Sequence, residues 1–132
     1  MKLYLDADIF LALTKEEDRH KKTVQQFLSE NKQHQFFTSN LTCLEMWFYL
    51  YRNGLKEEVL KSILAVKAIA TIIDYGITEI EQGVILAQKC GLSPADAIHA
   101  TIAQRFDGIV SSDHSFDKIS GLKRIDFSQE MK

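Results

Sequence analysis

The chain has 132 residues, 45% of them hydrophobic and 26% charged, which is enough for one buried core and too little for two. With 16 Lys and Arg against 18 Asp and Glu the net charge is −2, so no global positive field draws in nucleic acid; such contact would need a local basic patch, bound cations, or both. No apolar run reaches the ~18 residues of a membrane span, and the opening Met-Lys-Leu-Tyr-Leu-Asp runs straight into a strand pattern, so neither signal peptide nor membrane segment is expected.

Lys2–Leu5 is a short apolar run stopped by Asp6, as in a buried strand. Asp8 then begins a short helical segment through Ile9–Leu13. From Glu16 to about Asn31, the i, i+3, i+4 stripe of Val24, Phe27 and Leu28 among basic residues predicts an amphipathic helix. Gln35–Thr38 reads as a second strand. Ser39 or Asn40 is placed to cap a helix over Leu41–Tyr51, which Asn53-Gly54 ends. Lys56–Ala70 follows as another helix and Thr71–Ile73 as a β-branched strand. Thr78–Cys90 is a helix closed by Gly91, and Pro94 opens one that runs to about Phe106. Gly108–Val110 is a strand, a turn of helix follows Asp113, and Lys123–Ile125 is the last strand. Strands alternating with helices predict an α/β fold, its sheet largely parallel with helices on both faces. A lone proline and the lack of a Ser/Gly-rich linker give a single domain over residues 1–132. Cys43 and Cys90 lie in apolar helical stretches without CxxC or Cys/His spacing, which predicts reduced, buried thiols suited to the cytosol.

The acidic residues fall at telling places. Asp6 lies just past the carboxyl end of the first strand and Asp113 just past Gly108–Val110, where ligands of open α/β sheets bind if the strand order reverses there. Both positions also suit plain turn chemistry. Ser93-Pro-Ala-Asp96 is a capping-box pattern, which by itself explains Asp96. Yet a helix N-terminus also favours an ionised carboxylate, and an ionised carboxylate is what a hard cation takes. Glu45 interrupts the nearly continuous apolar run Leu41–Tyr51, so it lies either on one wet strip or in a polar cleft. Asp8 stands where it can cap the first helix, and Asp117 one turn beyond Asp113, near enough to reach a metal or its water. Carboxylates gathered in this way repel one another unless a divalent cation joins them.

The four pieces Leu5-Asp-Ala-Asp-Ile-Phe10, helical Glu45, Ser93-Pro-Ala-Asp-Ala-Ile-His-Ala100 and Ser111-Ser-Asp-His-Ser-Phe116 together resemble the PIN-domain ribonucleases. The likeness spans essentially the whole chain and is strongest to VapC-type toxins of prokaryotic toxin–antitoxin pairs. It implies a three-layer fold with a five-stranded parallel sheet ordered 3-2-1-4-5. It implies that Asp6, Glu45, Asp96 and Asp113 are the catalytic, metal-holding quartet, with Asp117 a candidate fifth ligand. It further implies Mg²⁺ or Mn²⁺ as cofactor, in-line hydrolysis of RNA leaving a 5′-phosphate, a cognate antitoxin and a homodimer. Two positions depart from the family pattern. Asp8 stands where Asn or Ser is common, and Ser111 or Ser112 replaces a threonine.

Other readings of the same residues stay open at this point. Asp6-Ala-Asp8 resembles the nucleophile motif of haloacid-dehalogenase-like phosphatases, with Asp6 attacking phosphorus and Asp8 as acid/base, but Glu45 and Asp96 are then idle. A receiver-like signalling domain would cast Asp74 as phosphoacceptor, although Lys123 precedes its strand. A PIN fold kept only for binding would have no use for the complete quartet. The basic run Lys15, Arg19, His20, Lys21 and Lys22 reads better as a solvated helix face than as a phosphate contact. His99 and His114 are assigned no catalytic role, His99 being expected to pack or hydrogen-bond beside Asp96.

Overall fold

A computed structural model describes residues 1–15 and 19–127 of the protein. The first strand, β1 (Lys2–Leu5), buries Leu3, Tyr4 and Leu5 almost completely, as a parallel strand covered by helices on both faces must. It is followed by α1 (Ala7–Thr14), α2 (Lys21–Glu30), β2 (Gln35–Ser39) and α3 (Asn40–Arg52). After a 3₁₀ turn at Lys56–Glu58 come α4 (Val59–Ile69), β3 (Thr71–Ile73), α5 (Ile77–Cys90), α6 (Pro94–Ala103) and β4 (Gly108–Val110). A second 3₁₀ turn at His114–Lys118 leads to β5 (Arg124–Ile125). All five strands pair in parallel in the order β3-β2-β1-β4-β5, as the resemblance implied. The order reverses at the β1–β4 pair, where Leu5 faces Val110 and the Asp6 amide donates to the Val110 carbonyl at 3.1 Å.

Strand alternation divides the core into two layers. Leu3 and Leu5 pack with Ile9, Phe10, Phe27 and Met46 on one side of the sheet. Tyr4 points the other way and packs with Ala97, Ala100, Ile109 and Phe116. The Tyr4 hydroxyl therefore reaches α6, where it meets His99.

Several element edges differ from the sequence reading for local reasons. The first helix begins at Ala7 and its cap is Asp6, whose side chain accepts from the Ala7 amide, so Asp8 falls inside the first turn and is not the cap. Glu16, the expected start of the second helix, lies outside the described residues, and the described helix starts at Lys21. Lys56–Ala70 is divided, its start wound as a 3₁₀ turn, and Leu60 and Leu64 on its helix are exposed. The helix from Pro94 ends at Ala103, because the Arg105 and Phe106 amides bond three residues back, to Ile102 and Ala103. Cys43 and Cys90 are free but only partly buried.

Gly108 admits its neighbours so closely that a Cβ there would lie 3.0 Å from the Lys123 carbonyl oxygen, which accepts the Ile109 amide at 2.9 Å. Gly108→Ala should push β5 from β4 at a cost of about 1–3 kcal/mol. Thermal unfolding should then show Tm lowered by roughly 3 °C or more; an unchanged Tm would mean that the strand gives way freely.

Candidate active site

Asp6 leaves β1 at the reversal of the sheet and is 6% exposed. Its Oδ1 accepts from the Ala7 amide at 2.7 Å and its Oδ2 from the Ser111 hydroxyl at 2.8 Å. Burial raises its pKa, against which the His99 charge, the Ser111 hydroxyl and the Ala7 amide all act. The turn of chain that caps α1 thus also fixes a carboxylate over the crevice.

Asp8 reaches across to the end of β4. Its Oδ2 accepts from the Ser112 hydroxyl at 2.8 Å, the Ser112 amide at 3.0 Å and the Ser111 hydroxyl at 3.3 Å. Its Oδ1 is buried without a partner among the described residues, which costs about 1–3 kcal/mol for such an acceptor. Burial, and then the charge of Asp6, push its pKa up to about 7 despite the Ser112 and Ser111 hydrogen bonds.

Ser111 is the hinge of this side. Its hydroxyl serves Asp6 and accepts the Asp113 amide at 3.0 Å. Asp113 caps the 3₁₀ turn that follows, its Oδ1 accepting from the Ser115 amide at 2.9 Å.

On α6, the Ser93 hydroxyl accepts from the Asp96 amide at 3.3 Å, so the expected cap forms. The reciprocal arm, an Asp96 carboxylate on the Ser93 amide, is not among the hydrogen bonds of the described residues. The carboxylate is half-buried, and its pKa is raised by burial and then by the charge of Asp113, with the Ser93 hydrogen bond and His99 opposing and Glu45 adding. Asp96 thus feels both its own cap and the neighbouring acids.

Glu45 comes from α3, its side chain 31% exposed, and its Oε1 meets His99 Nε2. His99, fully buried on α6, is the centre of the arrangement. Its Nε2 lies 3.7 Å from Asp6 Oδ1 and its Nδ1 is 2.6 Å from the Tyr4 hydroxyl, which in turn is 2.8 Å from Ser39 Oγ. Burial lowers the His99 pKa, but the Glu45 hydrogen bond and the charges of Asp6, Glu45 and Asp96 outweigh it and the net shift is upward. Tyr4 stays neutral, its pKa raised by burial.

The structure thus brings Asp6, Glu45, Asp96 and Asp113 to one crevice, together with Asp8. It does not bring Asp117 there. That carboxylate, half-exposed, is gripped by Arg124 at 2.9 and 3.2 Å and by His114 at 3.2 Å, and its pKa is lowered, chiefly by Arg124. The sequence reading passed over His99 as a member of the site. The available signal was a histidine one turn from Asp96 in Ala-Asp-Ala-Ile-His-Ala-Thr-Ile-Ala, a stretch too apolar for an unpartnered imidazole.

The donor set suits a hard divalent cation, being carboxylate oxygens with one buried oxygen unpartnered. Among the described residues no group of three or more His, Cys, Asp or Glu side chains is placed to hold a metal ion. Three of the carboxylates are engaged by protein partners: Asp6 by Ser111, Asp8 by Ser112 and Glu45 by His99.

The PIN domain family pattern matches residues 3–122 of the chain. No curated protein matches it. Among solved structures, the DNA-bound VapBC complex from Salmonella typhimurium holds a chain similar at a TM-score of 0.76 and 17% identity, covering 96% of this chain and 98% of that one. VapBC-1 from nontypeable Haemophilus influenzae gives 0.75 at 16% identity over 98% and 100% of the two chains. Mycobacterium tuberculosis VapC20, described as a sarcin–ricin loop cleaving toxin, gives 0.73 at 15% identity over 87% and 92%. At these identities the structural likeness establishes the fold. With the family pattern spanning nearly its full length, the chain belongs to the PIN domain family.

Proposed function

We propose that this protein is a Mg²⁺- or Mn²⁺-dependent endoribonuclease that works in the cytoplasm as the toxin of a toxin–antitoxin pair. The observation that carries the reading is the convergence of Asp6, Glu45, Asp96 and Asp113 on the crevice at the sheet reversal. Those four residues would hold the metal. When bound, it supplies activation of water and neutralisation of charge building on the scissile phosphate. The protein's own groups orient the ligands: Ser111 fixes Asp6 and the Asp113 amide, and His99 holds Glu45. The N-termini of α1 and α6 favour the ionised forms of Asp6 and Asp96. RNA as substrate is supported by the described activity of the similar VapC20.

A protein partner is supported by the surface. Leu44, Trp47, Phe48 and Tyr51 form an exposed i, i+3, i+4, i+7 stripe on α3, and Ile77, Ile80, Val84 and Ile85 a second apolar patch on α5. An antitoxin segment and a second copy of the chain are the occupants this reading assigns, in keeping with the toxin–antitoxin complexes among the similar structures. Among the described residues no helix is long and apolar enough to cross a membrane.

The rival readings fit less well. A receiver domain has a different strand order, 2-1-3-4-5, and the Asp74 carboxylate here accepts from the Asn40 side chain at 3.4 Å. A phosphatase needs Asp6 accessible as nucleophile, yet both of its oxygens are occupied, and the scheme leaves Glu45 and Asp96 without a role.

Removing the charge at the crevice tests the reading directly. Asp6→Asn and Asp96→Asn should each lower kcat/KM for RNA cleavage by about 100-fold or more, and EDTA should abolish cleavage by the wild type. Full activity in EDTA, or in both variants, would sink it.

Asp8 predicts a pH signature. Its folded pKa, about 7, lies above the ordinary value of 3.8, so the stability it contributes is complete below the unfolded pKa and is lost as pH rises through about 7. Asp8→Asn should raise the Tm of metal-free protein by roughly 3 °C or more at pH 8, with the difference shrinking toward pH 5. A difference that is constant between these pH values would show that Asp8 is not held as described.

A further inference from the structure

The side chain of Arg124 is 10% exposed, and all five of its N–H donors meet an acceptor. Nε donates to Asp117 Oδ1 at 2.9 Å and Nη2 to Asp117 Oδ2 at 3.2 Å, the two-point grip a guanidinium makes on a carboxylate. Nη2 also lies 3.0 Å from His114 Nδ1. Nη1 donates to the Ser111 carbonyl at 3.1 Å and is 3.1 Å from Asp126 Oδ2. One enclosed cation thus ties the end of β4 to the 3₁₀ turn and to the end of β5.

The tie falls on the residue that aims the site. The Ser111 amide donates to the Ile125 carbonyl at 3.0 Å, so with Arg124 on its carbonyl both peptide groups of Ser111 are anchored to the β5 segment. Its hydroxyl serves Asp6, Asp8 and the Asp113 amide. We propose that Arg124 is a positioning residue for the metal-holding carboxylates, with Asp117 as its counter-ion rather than a ligand. The inference rests on the nuclease reading for its catalytic consequence and on the Arg124 hydrogen bonds for its structural one. Lysine cannot replace the guanidinium, because a point charge with three donors cannot grip Asp117 at two points and reach Ser111 and Asp126 together.

The test compares wild type, Arg124→Lys, Asp117→Asn and the double variant in two measurements. Amide hydrogen exchange on metal-free protein reads the Ser112 and Asp113 amides, which donate to Asp8 and Ser111 at 3.0 Å each. The Gly91 amide, bonded to the Ala87 carbonyl at 2.8 Å, reports whether the fold as a whole is intact. Isothermal titration calorimetry with Mn²⁺ gives the metal Kd. Arg124→Lys should lower protection at Ser112 and Asp113 by ~10-fold or more with Gly91 unchanged, and should weaken Mn²⁺ by ~10-fold or more. The double variant should be no worse than the poorer single variant, because both act through one clamp. Unchanged protection in Arg124→Lys would overturn the proposal. So would Mn²⁺ losses that multiply in the double variant while Asp117→Asn leaves exchange unaltered, since Asp117 would then be an independent ligand. If the wild type binds no Mn²⁺ and cuts no RNA, the nuclease reading fails while the exchange data still decide the clamp.

Discussion

Everything at this site follows from the difficulty of keeping several carboxylates together in a partly buried crevice. Unit charges ~4 Å apart interact by about 4 kcal/mol at an effective dielectric near 20, comparable with the several kcal/mol needed to bury an ion. Without compensation, Asp6, Asp8 and Asp96 would have to accept protons, and their raised pKa values record that pressure. The fold answers with His99, which joins Glu45 and lies 3.7 Å from Asp6, and with hydroxyls and amides aimed at single oxygens. What it leaves unanswered is one buried oxygen of Asp8.

The scaffold makes the gathering possible at little conformational cost. Because the sheet reverses between β1 and β4, two chain ends more than a hundred residues apart leave the sheet side by side. Each then turns immediately into helix or 3₁₀ turn, so that a capping residue and a site residue are the same residue at Asp6 and Asp113. Tyr4 links this surface to the core. It belongs to the buried β1, yet its hydroxyl holds His99, so packing within the sheet sets the orientation of the one imidazole among the carboxylates.

Much of this was legible in the residues. Alternating strand and helix patterns gave the α/β class, and the order of four acidic motifs gave the family and the strand order. What escaped the sequence depends on long-range pairing. His99 reads as an ordinary core histidine until Glu45, 54 residues away, is seen beside it. Asp117 reads as a ligand because it sits one turn from Asp113, and only the arrival of Arg124 from β5 reveals a stronger partner. Asp8, two residues after Asp6, looks like a cap, whereas the structure uses Asp6 both as the cap and in the site. Helix ends were misplaced where local 3₁₀ bonding, not composition, decides the boundary.

The central claim is that this crevice is completed by a divalent cation held among Asp6, Glu45, Asp96 and Asp113. Anomalous diffraction from a crystal of the protein grown with Mn²⁺ addresses it most directly. The account predicts an anomalous peak within coordination distance of those carboxylates, with Asp117 still on Arg124. A crystal with no peak in the crevice, or with the ion on Asp117 instead, would contradict it.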